Sequence, residues 1–185
     1  MVADEKRVLR RQLETTRDAL VRADASHEAA ARFPLERRPA VVAGTFPMRS
    51  ELDPRPLMKR LEALGSTLAL PRTPKKGQPL VFHRWSAETR LVTSRFGVTE
   101  PVPETPIVEP DLLLVPLLAF DATGARLGYG GGFYDVTLET LRRTRSVFAV
   151  GFAYAGQELP TLPTEPHDQR LDAVLTEREW RVFAR

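Results

Sequence analysis

The sequence predicts an α/β fold: a single domain over residues 1–185, with an open, mostly parallel sheet and helices on both faces in three α/β/α layers. Apolar segments of strand length alternate along the chain with segments of helical periodicity, which is the order found in parallel sheets. The segment Leu112–Phe120 is apolar at nearly every position, which is typical of a strand buried on both faces. A length of 185 residues fits one such domain.

Composition excludes several classes of protein. The chain is 42% hydrophobic and 28% charged, as in ordinary globular proteins. It contains no cysteine and three histidines, which excludes disulfides, thiolate metal sites and cysteine nucleophiles. The longest apolar run is interrupted by Pro116 and is shorter than the roughly 20 residues that span a bilayer. Without an export signal at the N-terminus, we expect a cytoplasmic monomer that binds neither membranes nor nucleic acid.

The first half of the chain predicts a helix followed by a strand–helix–strand unit. Leu9, Leu13 and Leu20 recur at helical spacing within a helix from Asp4, its N-cap, to about Ala23. The elements that follow are a short strand Ala40–Phe46, a helix Pro54–Leu64 that Gly65 ends, and a strand Thr67–Leu70.

The second half predicts further strands and one helix. A hairpin or an extended loop is expected over Pro79–Trp85 and Leu91–Thr93, and a proline-rich connector over Thr99–Pro110. The remaining elements are the strand Leu112–Phe120, a glycine-rich loop, a helix from Phe133 to about Arg145, and the strands Val147–Tyr154 and Ala173–Thr176.

The glycine-rich loop, Asp121–Asp135, is the strongest indication of a ligand. It contains four closely spaced glycines, Gly128, Gly130, Gly131 and Gly132, which leave backbone N–H groups open to an anion ahead of a helix N-terminus. Arg126 adds a fork-shaped cation suited to phosphate. The loop matches neither a P-loop nor the dinucleotide pattern GxGxxG, because Phe133 stands where the last glycine belongs. The alternative is a flexible strand-to-helix connection.

Two carboxylates are candidate magnesium ligands. Asp135 follows the glycines in the first turn of the predicted helix, and Asp172 precedes the last predicted strand. Mg²⁺ near phosphate typically takes one or two protein carboxylates. Each also has an alternative interpretation, because Asp135 stabilises a helix dipole without any ligand and Asp172 is a common turn residue.

The basic residues of the first helix, and His167, each allow two interpretations. Lys6, Arg10 and Arg17 share one edge of the apolar stripe, where they reach over a pocket or cover the core margin with their aliphatic stems. His167 is more often a hydrogen-bonding loop residue than a catalyst.

Four segments resemble the 5-formyltetrahydrofolate cyclo-ligase family, also called methenyltetrahydrofolate synthetases, over essentially the whole length. They are KRVLR (6–10), MRSELDPRPL (48–57), PDLLLVPLLAFDATGARLGYGGGFYD (110–135) and EPHDQRLDAVLTE (165–177). The resemblance implies conversion of 5-formyltetrahydrofolate to 5,10-methenyltetrahydrofolate with ATP as co-substrate and Mg²⁺ as cofactor, and release of ADP and phosphate. The γ-phosphoryl group would move to the formyl oxygen before the folate N10 attacks.

The resemblance also implies roles for individual residues. ATP contacts are expected from Lys6, Arg7, Val8, Leu9, Arg10, Arg126, Leu127, Gly128, Tyr129, Gly130, Gly131, Gly132, Phe133 and Tyr134. Folate contacts are expected from Phe46, Glu51, Tyr129, Gly130, Gly131, Gly132 and Phe133. Asp135 and Asp172 match the magnesium ligands, and Arg126 is the catalytic residue that offsets charge on the transferring phosphate. Some family members carry lysine where this chain has Gly131, so that charge must come from Arg126 or Lys6.

Three other functions compete with the cyclo-ligase. A non-catalytic folate- or nucleotide-binding protein on the same fold is the main alternative, since a fold does not establish a function. Nucleic-acid binding is suggested by the basic first helix, but the aromatic motif of RNA-binding domains is missing. Sugar-phosphate isomerases and acyl-CoA transferases of related fold would not require ATP.

Overall fold

The computed structural model describes residues 2–184. The helices are α1 Val2–Asp18, α2 Ala25–Arg32, α3 Arg55–Ala63 and α4 Phe133–Thr144, with a 3₁₀ turn at Ala155–Gln157. The strands are β1 Val41–Ala43, β2 Thr67–Arg72, β3 Val81–Trp85, β4 Leu91–Thr93, β5 Thr99–Pro101, β6 Leu112–Val115, β7 Ala119–Phe120, β8 Arg126–Leu127, β9 Phe148–Phe152, β10 Ala173–Leu175 and β11 Trp180–Val182.

A seven-stranded sheet in the order β11-β10-β9-β6-β1-β2-β3 forms the centre of the protein. The five inner strands, β10 to β2, run parallel, and the edge strands β11 and β3 are antiparallel to their neighbours. Val42 of β1 lies opposite both Leu68 and Leu112, which fixes the register at the middle of the sheet. The predicted fold class is confirmed.

Helices cover both faces of this sheet. Successive side chains of a strand point to opposite faces, so Leu112 and Leu114 pack with α2 and α3 while Leu113 and Val115 pack with α4. All four side chains are fully buried. Burial on both faces explains why β6 is apolar at every position.

The predicted strand Leu112–Phe120 is wrong as a single element. Pro116 has no N–H to donate, so the chain leaves the sheet after Val115. It then forms a separate hairpin in which β7 pairs with β8, with Ala119 opposite Leu127. The hairpin interrupts what the sequence presents as one long loop before the glycines.

Other boundaries also differ from the predicted ones. Helix α1 ends at Asp18 rather than near Ala23, because the next N–H groups turn back to carbonyls three residues earlier. The short helix α2 and the strand β11 have no counterpart in the sequence-based elements. Strands β3 and β4 do not pair with each other: β3 joins β2, and β4 joins β5 inside the predicted connector.

Helix α1 packs at one end of the sheet. Leu13 shares a buried cluster with Leu118, Ala119 and Leu127 of the β7–β8 hairpin. This packing brings the basic edge of α1 next to the glycine-rich loop that follows β8. No helix within residues 2–184 is long and apolar enough to cross a membrane.

Candidate active site

A cavity of about 810 Å³ opens where the parallel strands end. Its walls come from α1, from the segments after β1, β2 and β6, from the glycine-rich loop, and from the stretch 165–168. Ligands of open α/β sheets collect beyond the carboxyl ends of the strands. Lys6, Arg10, Phe46, Glu51 and every residue from Arg126 to Asp135 line this cavity, so most of the predicted site residues are brought together.

The glycine-rich loop depends on its glycines at two positions. Gly130 has φ +93°, and a Cβ there would lie 3.2 Å from the guanidinium carbon of Arg10. Gly132 has φ +70° and directly precedes α4. Both values lie in the left-handed region that side chains disfavour. Arg10 Nε donates to Gly128 O at 2.8 Å, which ties the loop to α1.

The buried Arg126 forms an ion pair with the half-buried Asp135 at the two ends of the loop. Arg126 Nη2 donates to Asp135 Oδ1 at 2.7 Å, and its side chain is only 5% exposed. Burial lowers the pKa of Arg126, and the charge of Asp135 opposes this effect. Gln169 N also donates to Asp135 Oδ1, at 2.9 Å. Arg126 Nη1 donates to Gln169 O, so one backbone segment orients both members of the pair.

Lys6 is buried and forms ion pairs with two carboxylates. Its Nζ lies 2.5 Å from Asp168 Oδ2 and 2.9 Å from Glu165 Oε2. Burial lowers the pKa of Lys6, but the two carboxylates outweigh it and the net shift is upward. Burial raises the pKa of Asp168, whereas hydrogen bonds from Lys6 and Glu165 N reverse the shift to a net lowering. Lys6 is therefore a cavity residue and not a cation extended into solvent.

Glu51 also lines the cavity, in a turn after β1. Its side chain is 7% exposed. Tyr129 Oη donates to Glu51 Oε1 at 2.8 Å, and Met48 N donates to Oε2 at 2.7 Å. Burial raises the pKa of Glu51, although both hydrogen bonds and the nearby Arg17 counteract the rise. Arg49, two residues before Glu51 in this turn, adopts φ +52°, the left-handed conformation.

Aromatic rings form the remaining walls. Phe46 packs edge-on against Trp85 with ring centroids 5.6 Å apart. Phe133 contacts Phe96, from the tip of the β4–β5 hairpin, at 5.9 Å. Phe46, Phe96 and Phe133 line the cavity, which suits a ligand with a flat ring system.

Three residues of the predicted ATP-binding stretch lie elsewhere. Arg7 is exposed and paired with Asp4, Val8 is 55% exposed, and Leu9 packs against the cluster around Leu13. Within this stretch, Lys6 and Arg10, four residues apart, share the helix face toward the cavity.

The structure does not bring Asp172 to the cavity. Its carboxylate is 5% exposed and accepts hydrogen bonds from Arg142 Nη2 at 3.0 Å and Ala149 N at 2.8 Å. Arg142 in turn donates to Arg170 O at 2.9 Å and to the Gln169 side chain. Asp172 thus anchors the segment that orients Arg126 and Asp135.

Asp168 faces the cavity in place of Asp172. Its ligand atom and those of Glu165 and His167 lie within 4.8 Å of one another. Both aspartates stand in the same short segment, four residues apart, and the one predicted from the sequence is the one that does not line the cavity. A spacing rule could not separate them, because the segment is an irregular loop whose facing residues have no periodicity.

Comparison with known proteins identifies the family. The model of the 5-formyltetrahydrofolate cyclo-ligase family matches residues 2–177. A 5-formyltetrahydrofolate cyclo-ligase from Escherichia coli K12 is 37% identical over 131 residues, which cover 68% of this chain and 71% of that protein. The cyclo-ligase from Mycolicibacterium smegmatis is 38% identical over 152 residues, covering 78% of this chain and 77% of its own.

A solved structure shares the fold. The NMR structure of 5,10-methenyltetrahydrofolate synthetase from Aquifex aeolicus superposes with a TM-score of 0.77 at 28% identity, covering 97% of this chain and 93% of that one. The family predicted from the four sequence segments is confirmed. The chain belongs to the 5-formyltetrahydrofolate cyclo-ligase family and is an enzyme.

Proposed function

We propose that the chain converts 5-formyltetrahydrofolate to 5,10-methenyltetrahydrofolate in a reaction that consumes ATP and requires Mg²⁺. The observation that carries the proposal is that one cavity is lined by two kinds of group. Glycines, Lys6 and Arg126 suit an anion, and the buried Glu51 with aromatic rings suits a flat, hydrogen-bonding ring system; we call these groups the anion-binding end and the folate end of the site.

The triphosphate of ATP fits the anion-binding end. Backbone N–H groups of residues 128–132 and the N-terminus of α4 favour negative charge there. Lys6 and Arg126 are each paired with carboxylates on the same wall. On binding, the cations would exchange these carboxylates for phosphate oxygens, while the carboxylates would remain beside the phosphates.

The carboxylates suit Mg²⁺, which prefers hard oxygen ligands and commonly binds through one or two carboxylates together with phosphates. Asp135 lines the cavity and accepts its hydrogen bonds from Arg126 and Gln169 at Oδ1, so Oδ2 takes part in neither bond. Asp168 is the second candidate ligand, because it lines the same wall and Asp172 does not. A bound ion would neutralise phosphate charge and orient the γ-phosphoryl group.

The folate ring fits the end formed by Glu51. A carboxylate has about four lone-pair directions, and Tyr129 and Met48 engage one on each oxygen. The remaining directions can accept N–H groups of the pterin ring. Phe46 and Phe133 would enclose the ring and exclude water.

Phosphoryl transfer explains the need for ATP. The formamide oxygen is a poor leaving group, so its attack on the γ-phosphorus releases ADP and leaves a phosphorylated carbon–nitrogen unit. The folate N10 then adds to that carbon and loses its proton to solvent or phosphate, the carbon–oxygen bond breaks, and the oxygen leaves within phosphate. In phosphoryl transfer the protein chiefly positions groups and offsets charge, and Arg126 is placed to do so.

The fate of the formyl oxygen tests this proposal. 5-Formyltetrahydrofolate labelled with ¹⁸O at the formyl group is incubated with the enzyme, ATP and Mg²⁺ in unlabelled water. We expect one labelled oxygen in each phosphate released, in step with methenyl product. A sample without enzyme measures exchange of the label with water. Product formed with unlabelled phosphate would exclude phosphorylation of the formyl oxygen.

A further inference from the structure

Arg17, near the end of α1, is buried and carries a charge that lies behind the cavity wall. Its side chain is 1% exposed, and it is not among the cavity-lining residues. Nε donates to Ser50 Oγ at 3.0 Å, and Nη1 donates to Tyr129 Oη. Nη2 is buried without a hydrogen-bond partner among the described residues. Burying a guanidinium with one unpaired donor costs free energy, so packing alone does not explain why an arginine occupies this position.

The hydrogen bonds from Arg17 continue in one direction to Glu51. A guanidinium can only donate, so the Tyr129 oxygen must accept from Arg17. The phenol proton is therefore committed to Glu51 Oε1, 2.8 Å away. The guanidinium also lies over the Tyr129 ring, with Cζ 5.5 Å from the centroid. Arg17 thus fixes both the position of the ring and the direction in which its hydroxyl points.

Arg17 also fixes the turn that carries Glu51. Ser50, the neighbour of Glu51, accepts from Arg17 and donates to Asp18 Oδ1. Met48 N, in the same turn, donates to the second oxygen of Glu51. The carboxylate is therefore oriented through the backbone on one side and through Tyr129 on the other, and both connections start at Arg17.

We infer that Arg17 is a positioning residue for the folate end of the site, acting on Glu51 through Tyr129 and Ser50 and through its own charge, since Arg17 Nη1 lies 3.9 Å from Glu51 Oε1. The inference rests on the proposed role of Glu51 in holding the pterin ring. Because Lys6 and Arg10 reach the phosphate end from the same helix, α1 joins the two ends of the cavity. Arg17 does not line the cavity, and its partners are Ser50, Tyr129 and Glu51, so we expect its effect on folate binding and not on nucleotide binding.

The test compares Arg17→Met, Tyr129→Phe and the double variant, with Arg11→Met as the matched control. Arg11 is an exposed arginine on the same helix. The KM for 5-formyltetrahydrofolate is measured at saturating ATP, and the KM for ATP at saturating folate. We expect Arg17→Met to raise the folate KM about tenfold, equivalent to about 1.4 kcal/mol, and to leave the ATP KM within about twofold.

Non-additivity distinguishes positioning from general stability. If Arg17 acts through the Tyr129 hydroxyl, the double variant has a folate KM within about twofold of that of Arg17→Met alone. Arg17→Lys, which keeps a donor, should raise the folate KM less than Arg17→Met does. Effects that multiply in the double variant, or equal increases in both KM values, would overturn the inference.

The variants also keep the inference separate from the proposed function. Tyr129→Phe removes one hydroxyl from a partly exposed ring, so it tests the hydrogen-bonded connection between Arg17 and Glu51 even if Arg17→Met does not fold. In that case an unchanged folate KM for Tyr129→Phe overturns the inference. Absence of turnover in the wild-type enzyme would instead contradict the proposed function.

Discussion

Asp135→Asn is expected to lower kcat by about 10³-fold, the loss that corresponds to about 4 kcal/mol. Asparagine keeps an oxygen that can accept from Arg126 and Gln169 N, so the local hydrogen bonds persist. The negative charge is lost, and with it the proposed ligand for Mg²⁺ and the counter-charge of a buried guanidinium. Steady-state turnover, with the fold checked by circular dichroism, measures the effect.

Glu139→Gln is the matched control for this prediction. Glu139 lies one turn further along α4 and is exposed, so the same change of charge there should leave kcat within about twofold. Nearly wild-type turnover in Asp135→Asn at limiting Mg²⁺ would contradict the metal assignment.

Variants of Asp168 and Asp172 should give different results in the same assay. Asp168→Asn is expected to raise the Mg²⁺ concentration needed for half-maximal activity by about tenfold, as for loss of one contributing ligand. Asp172→Asn should leave that concentration unchanged but lower the free energy of unfolding by about 3 kcal/mol, because a buried partner of Arg142 is lost. Metal titration and thermal melting distinguish them.

Arg126→Met is expected to lower kcat by about 10³-fold while the KM for 5-formyltetrahydrofolate stays within about threefold. A cation that offsets charge on a transferring phosphoryl group contributes most in the transition state, so its loss appears in kcat. Arg126 is nearly buried and oriented by Asp135 and Gln169 O, which fixes its guanidinium before substrate binds.

Two comparison variants sharpen the Arg126 prediction. Arg126→Lys keeps the charge but lacks the planar fork, so it should recover only part of the rate. Arg143→Met removes an exposed arginine from α4 and should leave kcat within about twofold. A rise in folate KM with unchanged kcat in Arg126→Met would assign the residue to substrate binding instead.

Local signals made the central part of the fold predictable. The apolar run that contains β6 and the glycines before α4 each lie within a few adjacent residues, and each has one dominant physical explanation. Pro116 was visible, yet the run on both sides of it concealed the break between β6 and β7. Helix α2 was missed because eight residues rich in alanine form no recognisable apolar stripe.

The contacts that complete the site could not be read from local patterns. Lys6 and Asp168 are hydrogen-bonded although they lie 162 residues apart in the sequence, and Tyr129 and Glu51 are hydrogen-bonded 78 residues apart. Such contacts depend on how α1 packs against the β7–β8 hairpin, which no spacing rule encodes. Arg17 was recognised as part of a basic edge, but its burial behind Tyr129 follows only from the assembled fold.

The most direct test of the proposed function follows the absorbance of methenyltetrahydrofolate when the purified protein is mixed with 5-formyltetrahydrofolate. ATP and Mg²⁺ are supplied together and then withheld in turn. We expect the band to appear only when both are present, with one phosphate released for each product molecule. A band of equal rate without ATP, or no band from folded protein that binds ATP, would contradict the proposed function.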